Sequence, residues 1–231
     1  MATIHVFIQS KTTGKSLFAA FLTQYLREER GQNTLCVDTD SLFGSLSSFS
    51  DLKADRVEVQ HVPAYCRKIP PDATHVVIDV SVNFFFPFCG QMRTHFLPAL
   101  ADGGHSLLLH TVITGGGQMM ETYNGFHNLA ENFSDLPFIV WLNPHYGEIA
   151  AEGRTFEESG VYMRHKAAVR SIVHMPKCPD MTTEDVRGMY ADHLTFKETQ
   201  AETYKNVMVR LRLNKYKESL YVALNSANLG E

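Results

Sequence analysis

Apolar positions along this chain alternate between two rhythms. Short, near-continuous runs rich in β-branched and aromatic residues predict strands at "IHVFIQ" (4–9), "TLCVD" (34–38), "RVEVQHV" (56–62), "HVVIDV" (75–80), "SLLLHTVI" (106–113), "FIVWLN" (138–143) and "SIVHM" (171–175). Between them, apolar residues recur at three-and-four spacing. This predicts helices over 15–29, 88–101, 118–132, 155–167, 183–192 and 196–222. Strands with so few polar positions belong in a sheet covered on both faces, and strand-helix alternation belongs to βαβ units. The expected fold is therefore α/β: a doubly wound, mostly parallel sheet with a helical C-terminal segment from about residue 196 to 231.

The 231 residues contain no internal repeat and no Pro/Gly/Ser-rich linker, so one domain over 1–231 is expected. The four cysteines, Cys36, Cys66, Cys89 and Cys178, form no C-x-x-C pair and predict neither disulfide nor zinc knuckle. The first strand starts without a basic leader and no apolar run reaches about 18 residues, so a cytoplasmic protein with no integral membrane segment is expected. A net charge of -4 gives no whole-protein footprint for nucleic acid. The basic run "KNVMVRLRLNKYK" (205–217) reads as the solvated face of a closing helix, and direct DNA binding is unsupported.

Candidate chemistry starts where the first strand meets the first helix. The loop ends Gly14-Lys15-Ser16, and a helix start offers unpaired N–H groups and a positive dipole end to an anion. Lys15 supplies a cation for the outer phosphates and Ser16 a hydroxyl for Mg²⁺. Asp38 and Asp40 close one apolar strand and Asp79 another, which places all three acids at the carboxyl ends where ligands of open α/β sheets collect. The full pattern G-x-x-x-x-G-K-[ST] asks for glycine at position 9, where Gln9 stands.

Together with "HTVITGGGQMMETYNGFHNLAENF" (110–133), "PFIVWLNPHYGEI" (137–149) and "LTF" (194–196), the stretch 4–40 resembles the TraL/StbB branch of the deviant Walker A ATPases, relatives of ParA and MinD found on conjugative plasmids. The resemblance implies a P-loop fold and an ATPase that uses ATP and Mg²⁺. It also implies a nucleotide-dependent homodimer serving conjugation or partition proteins of a plasmid.

Residue by residue, it implies a nucleotide-binding loop of Lys11, Thr12, Thr13, Gly14, Lys15, Ser16 and Leu17. Lys11 would be the signature lysine reaching a partner's nucleotide, and Asp40 the acid that orients water. Ser16, Asp38, Asp40 and Asp79 would serve the metal, Asn143 the adenine, and Met175-Pro176 the border of the base. An amide suits adenine because it donates to N7 and accepts from the exocyclic amine.

Two departures stand out. The loop reads Ser10-Lys11-Thr12-Thr13-Gly14, poor in glycine and one residue short if Lys11 is the signature lysine. Threonine at a left-handed position costs roughly 1 to 2 kcal/mol. "VSVNFFFPF" (80–88) also lacks the Gly-containing switch-like segment of the family.

The departures keep a second reading open, a non-hydrolysing relative acting as an interaction module. A third is a small-molecule ligase or kinase of the dethiobiotin-synthetase kind, on the same P-loop architecture. "TGGGQMM" (114–120) reads as a tight turn or partner-facing loop, Phe84 to Phe88 as core packing or an exposed patch. His110, His145, His165 and His174 read as core or surface histidines.

Overall fold

The computed structural model describes residues 1–11, 13–40, 44–151 and 153–229. In chain order the elements are β1 (Thr3–Phe7), α1 (Lys15–Glu28), β2 (Thr34–Asp38), β3 (Asp55–Arg56), α2 (Val62–Cys66), β4 (His75–Asp79), α3 (Phe85–Gln91), α4 (Leu97–Asp102), β5 (Ser106–Thr114), α5 (Met119–Asn132), β6 (Phe138–Asn143), β7 (Ala150–Ala151), β8 (Arg154–Thr155), α6 (Gly160–His165), β9 (Val169–His174), α7 (Asp180–Ala191) and α8 (Val207–Ser226).

Seven strands form one sheet in the order β3-β2-β4-β1-β5-β6-β9, every neighbouring pair parallel. Helices cover both faces, as the apolar runs predict. On one face Phe7, Val77, Leu108, Ile139 and Trp141 pack with α1, α7 and α8. On the other, Ile4, Val6, Ile78, Leu109 and Val140 pack beneath α2 to α6. The period-two alternation of a strand separates these sets, and it puts Asp79, in register with Phe7, on the α1 face.

Three predicted elements differ. "RVEVQHV" yields strand only at Asp55–Arg56, because Pro63 lies in the first turn of α2 and the chain winds into that helix after a 3-10 turn at Val59–His61. The helix expected over 155–167 shortens to Gly160–His165, capped by the Ser159 hydroxyl, which accepts from Tyr162 N–H; the preceding residues form the β7–β8 hairpin. The helix expected from 196 begins at Val207, where the Asn206 side chain accepts from Val209 N–H at 3.1 Å. Within 196–206 the backbone forms a 3-10 turn at Glu198–Gln200 and a second turn in which Tyr204 N–H donates to Ala201 carbonyl at 2.9 Å.

A polar row crosses the core on the α1 face. The Trp141 indole N–H donates to His110 Nδ1 at 2.9 Å, His110 Nε2 meets His5 Nδ1 at 3.0 Å, and His5 Nε2 meets His75 Nδ1 at 3.0 Å. An indole only donates, so it fixes every tautomer: His110 and His5 each accept at Nδ1 and donate at Nε2, and His75 accepts at Nδ1. Burial holds all three histidines neutral. It lowers His110 to about 3, and places His5 and His75 below the ordinary histidine value, with His5 also depressed by its two neighbours.

Candidate functional site

After β1, Ile8 N–H still donates to His110 carbonyl at 3.0 Å, and then the Gln9 side chain takes over from the backbone. Its amide donates to Val112 O at 2.7 Å and accepts from Val112 N–H at 2.9 Å, extending the β1–β5 ladder by one rung. The same Oε1 accepts from the Thr13 hydroxyl at 3.3 Å. Gln9 and Thr13 are each only 1% exposed. A buried amide thus anchors a loop that elsewhere relies on glycine.

The strain expected of non-glycine residues is absent at Lys11 and Thr13: among the described non-glycine residues, positive φ occurs at Lys53, His193, Lys205 and Asn228. Thr12 lies outside the described residues. Gly14 alone in the described loop is left-handed, with φ 83°, and it caps α1 through its carbonyl, which accepts from Phe18 N–H at 3.1 Å. Gly14 caps this helix start without a side-chain hydrogen bond and no acidic residue lies in its first turn, which is the condition under which helix-start N–H groups can receive an anion.

Lys15 turns inward and bonds the Asp79 carboxylate; their side chains are 5% and 3% exposed. Asp38 stands beside Asp79 in the β2–β4 register. Asp38 accepts from Asp40 N–H at 2.8 Å and Ser47 N–H at 2.7 Å, yet burial, reinforced by Asp79, pushes its pKa above the usual carboxylate range. Thr39 locks the next turn, donating its hydroxyl to Asp79 carbonyl at 3.2 Å and accepting from Ser81 N–H at 2.9 Å. Asp40, 8% exposed, lies on that turn.

Asp79 pairs with Lys15, Asp38 stands beside Asp79 in the sheet, and Asp40 follows two residues after Asp38, while Ser16 is the second residue of α1. Carboxylate and hydroxyl oxygens are the donors Mg²⁺ takes. The residues therefore fit the ion.

From Gly14 a cavity of about 530 Å³ runs to the turn after β6, bounded by α1, the segment after β9, and α7. Leu17, Phe18, Asn143, Met175 and Pro176 line it. Asn143 is 8% exposed, and its Oδ1 accepts from His145 N–H at 3.1 Å, folding the chain into a 3-10 turn at Pro144–Tyr146. Met175 N–H donates to Leu142 carbonyl at 3.0 Å, bringing Met175-Pro176 alongside. Phe18 stacks on Trp141, 5.4 Å between centroids and 5° from parallel, forming the floor.

The glycines of "TGGGQMM" have a steric cause. A Cβ on Gly115 would lie 1.9 Å from Gly147 O, and one on Gly116 2.2 Å from Tyr146 O. They make a tight turn jammed against the Asn143 turn.

Helix α7 adds residues that no motif announced. Arg187 donates to His145 Nε2 at 3.0 Å and to Glu184 at 2.7 Å, closing one side of the cavity. Burial and the adjacent Arg187 lower the His145 pKa, keeping Nε2 an acceptor. Tyr190 lines the same cavity, and its pKa is raised by burial and then by Asp79 and Asp38, so α7 reaches from the Asn143 turn toward the carboxylates.

Lys11 points along the surface to Glu121 of its own chain, 3.3 Å away, with both side chains about half exposed. Cations of the C-terminal basic run are engaged within the chain: Lys205 with Asp192, Arg212 with Asp185, Lys217 with Glu28. Of the aromatic run, Phe88 is buried and Phe86 is 78% exposed. No helix among the described residues is long and apolar enough to cross a membrane.

No protein-family model matches the chain. Two curated relatives, both described as Protein TraL from Escherichia coli, are each 34% identical over 239 residues, covering 98% of this chain and 99% of theirs. Among solved structures, a ParA family ATPase from Chlorobium tepidum TLS aligns with a TM-score of 0.58 at 13% identity, over 97% of this chain and 99% of that one. The MinD cell division protein of Aquifex aeolicus aligns with a TM-score of 0.51 at 12% identity, over 95% and 97%.

Proposed function

The chain belongs to the TraL family and carries the ParA/MinD-type fold, and from that premise we propose that it is a slowly hydrolysing ATPase of plasmid transfer or plasmid stability. One observation carries the reading: a single cavity joins the helix start at Gly14 to the Asn143 turn, and Lys15, the residue after Gly14, pairs with Asp79 beside Asp38.

In this reading, N–H groups of Gly14, Lys15, Ser16 and Leu17 cradle the phosphates, and Lys15 exchanges its Asp79 partner for the outer phosphates. Ser16, Asp38, Asp40 and Asp79 hold Mg²⁺, which neutralises phosphate charge when bound. Asp40 orients water. The base lies between Phe18 and Met175-Pro176, its edge read by the Asn143 amide. A nucleotide-dependent homodimer in the cytoplasm, acting with conjugation or partition proteins, completes the proposal.

The Lys11–Glu121 pair favours one alternative, a relative that binds without hydrolysing and serves as an interaction module, because it holds the trans cation in its own chain.

Titration of MgATP, MgADP and MgGTP by calorimetry tests the site. Adenine nucleotides bind saturably, and Asn143→Ala weakens them about 5- to 30-fold, the worth of one to two hydrogen bonds, while leaving GTP unchanged. Failure of every nucleotide to bind at millimolar concentration ends the proposal. Binding without turnover, with no dimer in light scattering, selects the interaction module.

A further inference from the structure

On the helical face opposite α1, three ligand-type atoms converge. His127 and Glu131 stand one helical turn apart on α5, and His165 ends α6. His127 Nδ1 lies 2.8 Å from His165 Nε2, while Glu131 Oε1 lies 4.0 Å from the first and 3.7 Å from the second. Tetrahedral ligands bound at about 2.0 to 2.1 Å stand about 3.3 Å from one another, so these separations bracket that spacing. We propose that His127, Glu131 and His165 form a zinc-class divalent metal site that ties α6 to α5.

Packing presets half of the site. His165 is only 6% exposed and its ring meets Phe126 edge-on at 5.9 Å. His127 and Glu131 remain accessible, with side chains 30% and 52% exposed, which leaves an entry path and a fourth position for water. Two imidazoles and one carboxylate suit zinc, with cobalt as its spectroscopic substitute, rather than Mg²⁺, which prefers oxygen. Without a metal, one imidazole must donate to the other, and Arg164 lies 3.8 Å from the Glu131 oxygen. Metal binding displaces that shared proton and needs Arg164 only to swing outward, where its side chain is already 66% exposed. The site is distinct from the nucleotide cavity, so it stands or falls independently of the ATPase reading.

The test uses tag-free full-length chain, stripped with chelator and held in excess Mg²⁺ without nucleotide. Zn²⁺ binds with one-to-one stoichiometry at micromolar Kd or tighter, and Co²⁺ gives the intense visible bands of a tetrahedral site. At zinc near 100 times Kd, Tm rises by roughly 5 to 10 °C. His127→Ala, on the accessible side, abolishes the Co²⁺ bands, and Glu131→Gln weakens zinc at least tenfold. Melting each apo variant separates lost folding from lost ligation. Absence of stoichiometric binding, or binding that survives in the His127→Ala/Glu131→Gln double variant, overturns the proposal.

Discussion

The two ends of the cavity are built on opposite plans. At the end proposed for the phosphates, polar side chains have protein partners: Lys15 with Asp79, Asp38 with two backbone N–H groups, Gln9 with Val112 and Thr13. At the base end a roomy slot lies between Phe18 and the segment after β9. In the proposed reading adenine finds a preformed space, whereas the phosphates replace a buried ion pair. In that reading the phosphate end stabilises the folded chain as well as binding ligand, and the base end is free to serve recognition.

Lys15→Ala breaks that comparison most severely. It strands Asp79 without its cation and costs about 3 to 5 kcal/mol in urea unfolding, so lost nucleotide binding in this variant reports lost fold as well. Lys15→Met/Asp79→Asn removes both charges and unfolds near the wild-type midpoint. If the single variant is as stable as wild type, the ion pair does not hold the phosphate end together.

Acid separates the carboxylate cluster from the histidine row of the core by sign. Folded His5, His75 and His110 have lowered pKa values, so below about pH 6.5 the unfolded chain takes up protons that they refuse. Each histidine then removes up to about 1.4 kcal/mol of stability per pH unit, a loss that for His110 continues toward its folded value near 3. Asp38 does the reverse: its raised pKa makes the native state bind a proton first, returning stability as pH falls toward 4. Urea midpoints measured from pH 7.5 to 4.5 fall on the acid side, and fall more steeply in Asp38→Asn. A flat profile contradicts the neutral imidazole row.

Gln9→Gly sharpens the picture by restoring the expected motif residue. It loses the rung to Val112 and the Thr13 bond, and destabilises by about 2 to 3 kcal/mol in denaturant titration. A gain in stability would show that glycine geometry is what the loop wants. The smallest effect belongs to Lys11→Ala, at most about 1 kcal/mol, since the exposed pair with Glu121 is screened by water and salt. Comparing ATP-dependent association of this variant with wild type shows whether Lys11 works beyond its own surface.

The fold was readable because strands covered on both faces carry almost no polar interruptions: 34–38 and 138–143 appear with the bounds their residues predict. The errors lie where local signals compete. Val57, Val59 and Val62 read as strand until Pro63 starts a helix, and the Asn206 cap delays α8 past a predicted start at 196. Lys15, Asp38, Asp79 and Asn143 were locatable because each sits at a strand end or helix start, a position the chain states locally.

Gln9 looked only like a missing glycine. Its meaning depends on Val112, 103 residues away, and no periodicity encodes that distance. The histidine row left a fainter trace, a polar ring inside each of three otherwise apolar strands, but the tautomers come from Trp141 on a fourth. Arg187 and Tyr190 reach the cavity through the placement of α7, which no local residue pattern specifies.

The approach of Gly115 and Gly116 to Tyr146 and Gly147 has a mechanical consequence. Backbone rests on backbone there, with no side chain between to give way. The start of α5 and the adenine-side turn are geared like two teeth in mesh. In the proposed reading, displacement of that helix start is passed to the turn that reads the purine, and purine occupancy acts back on it with equal free energy.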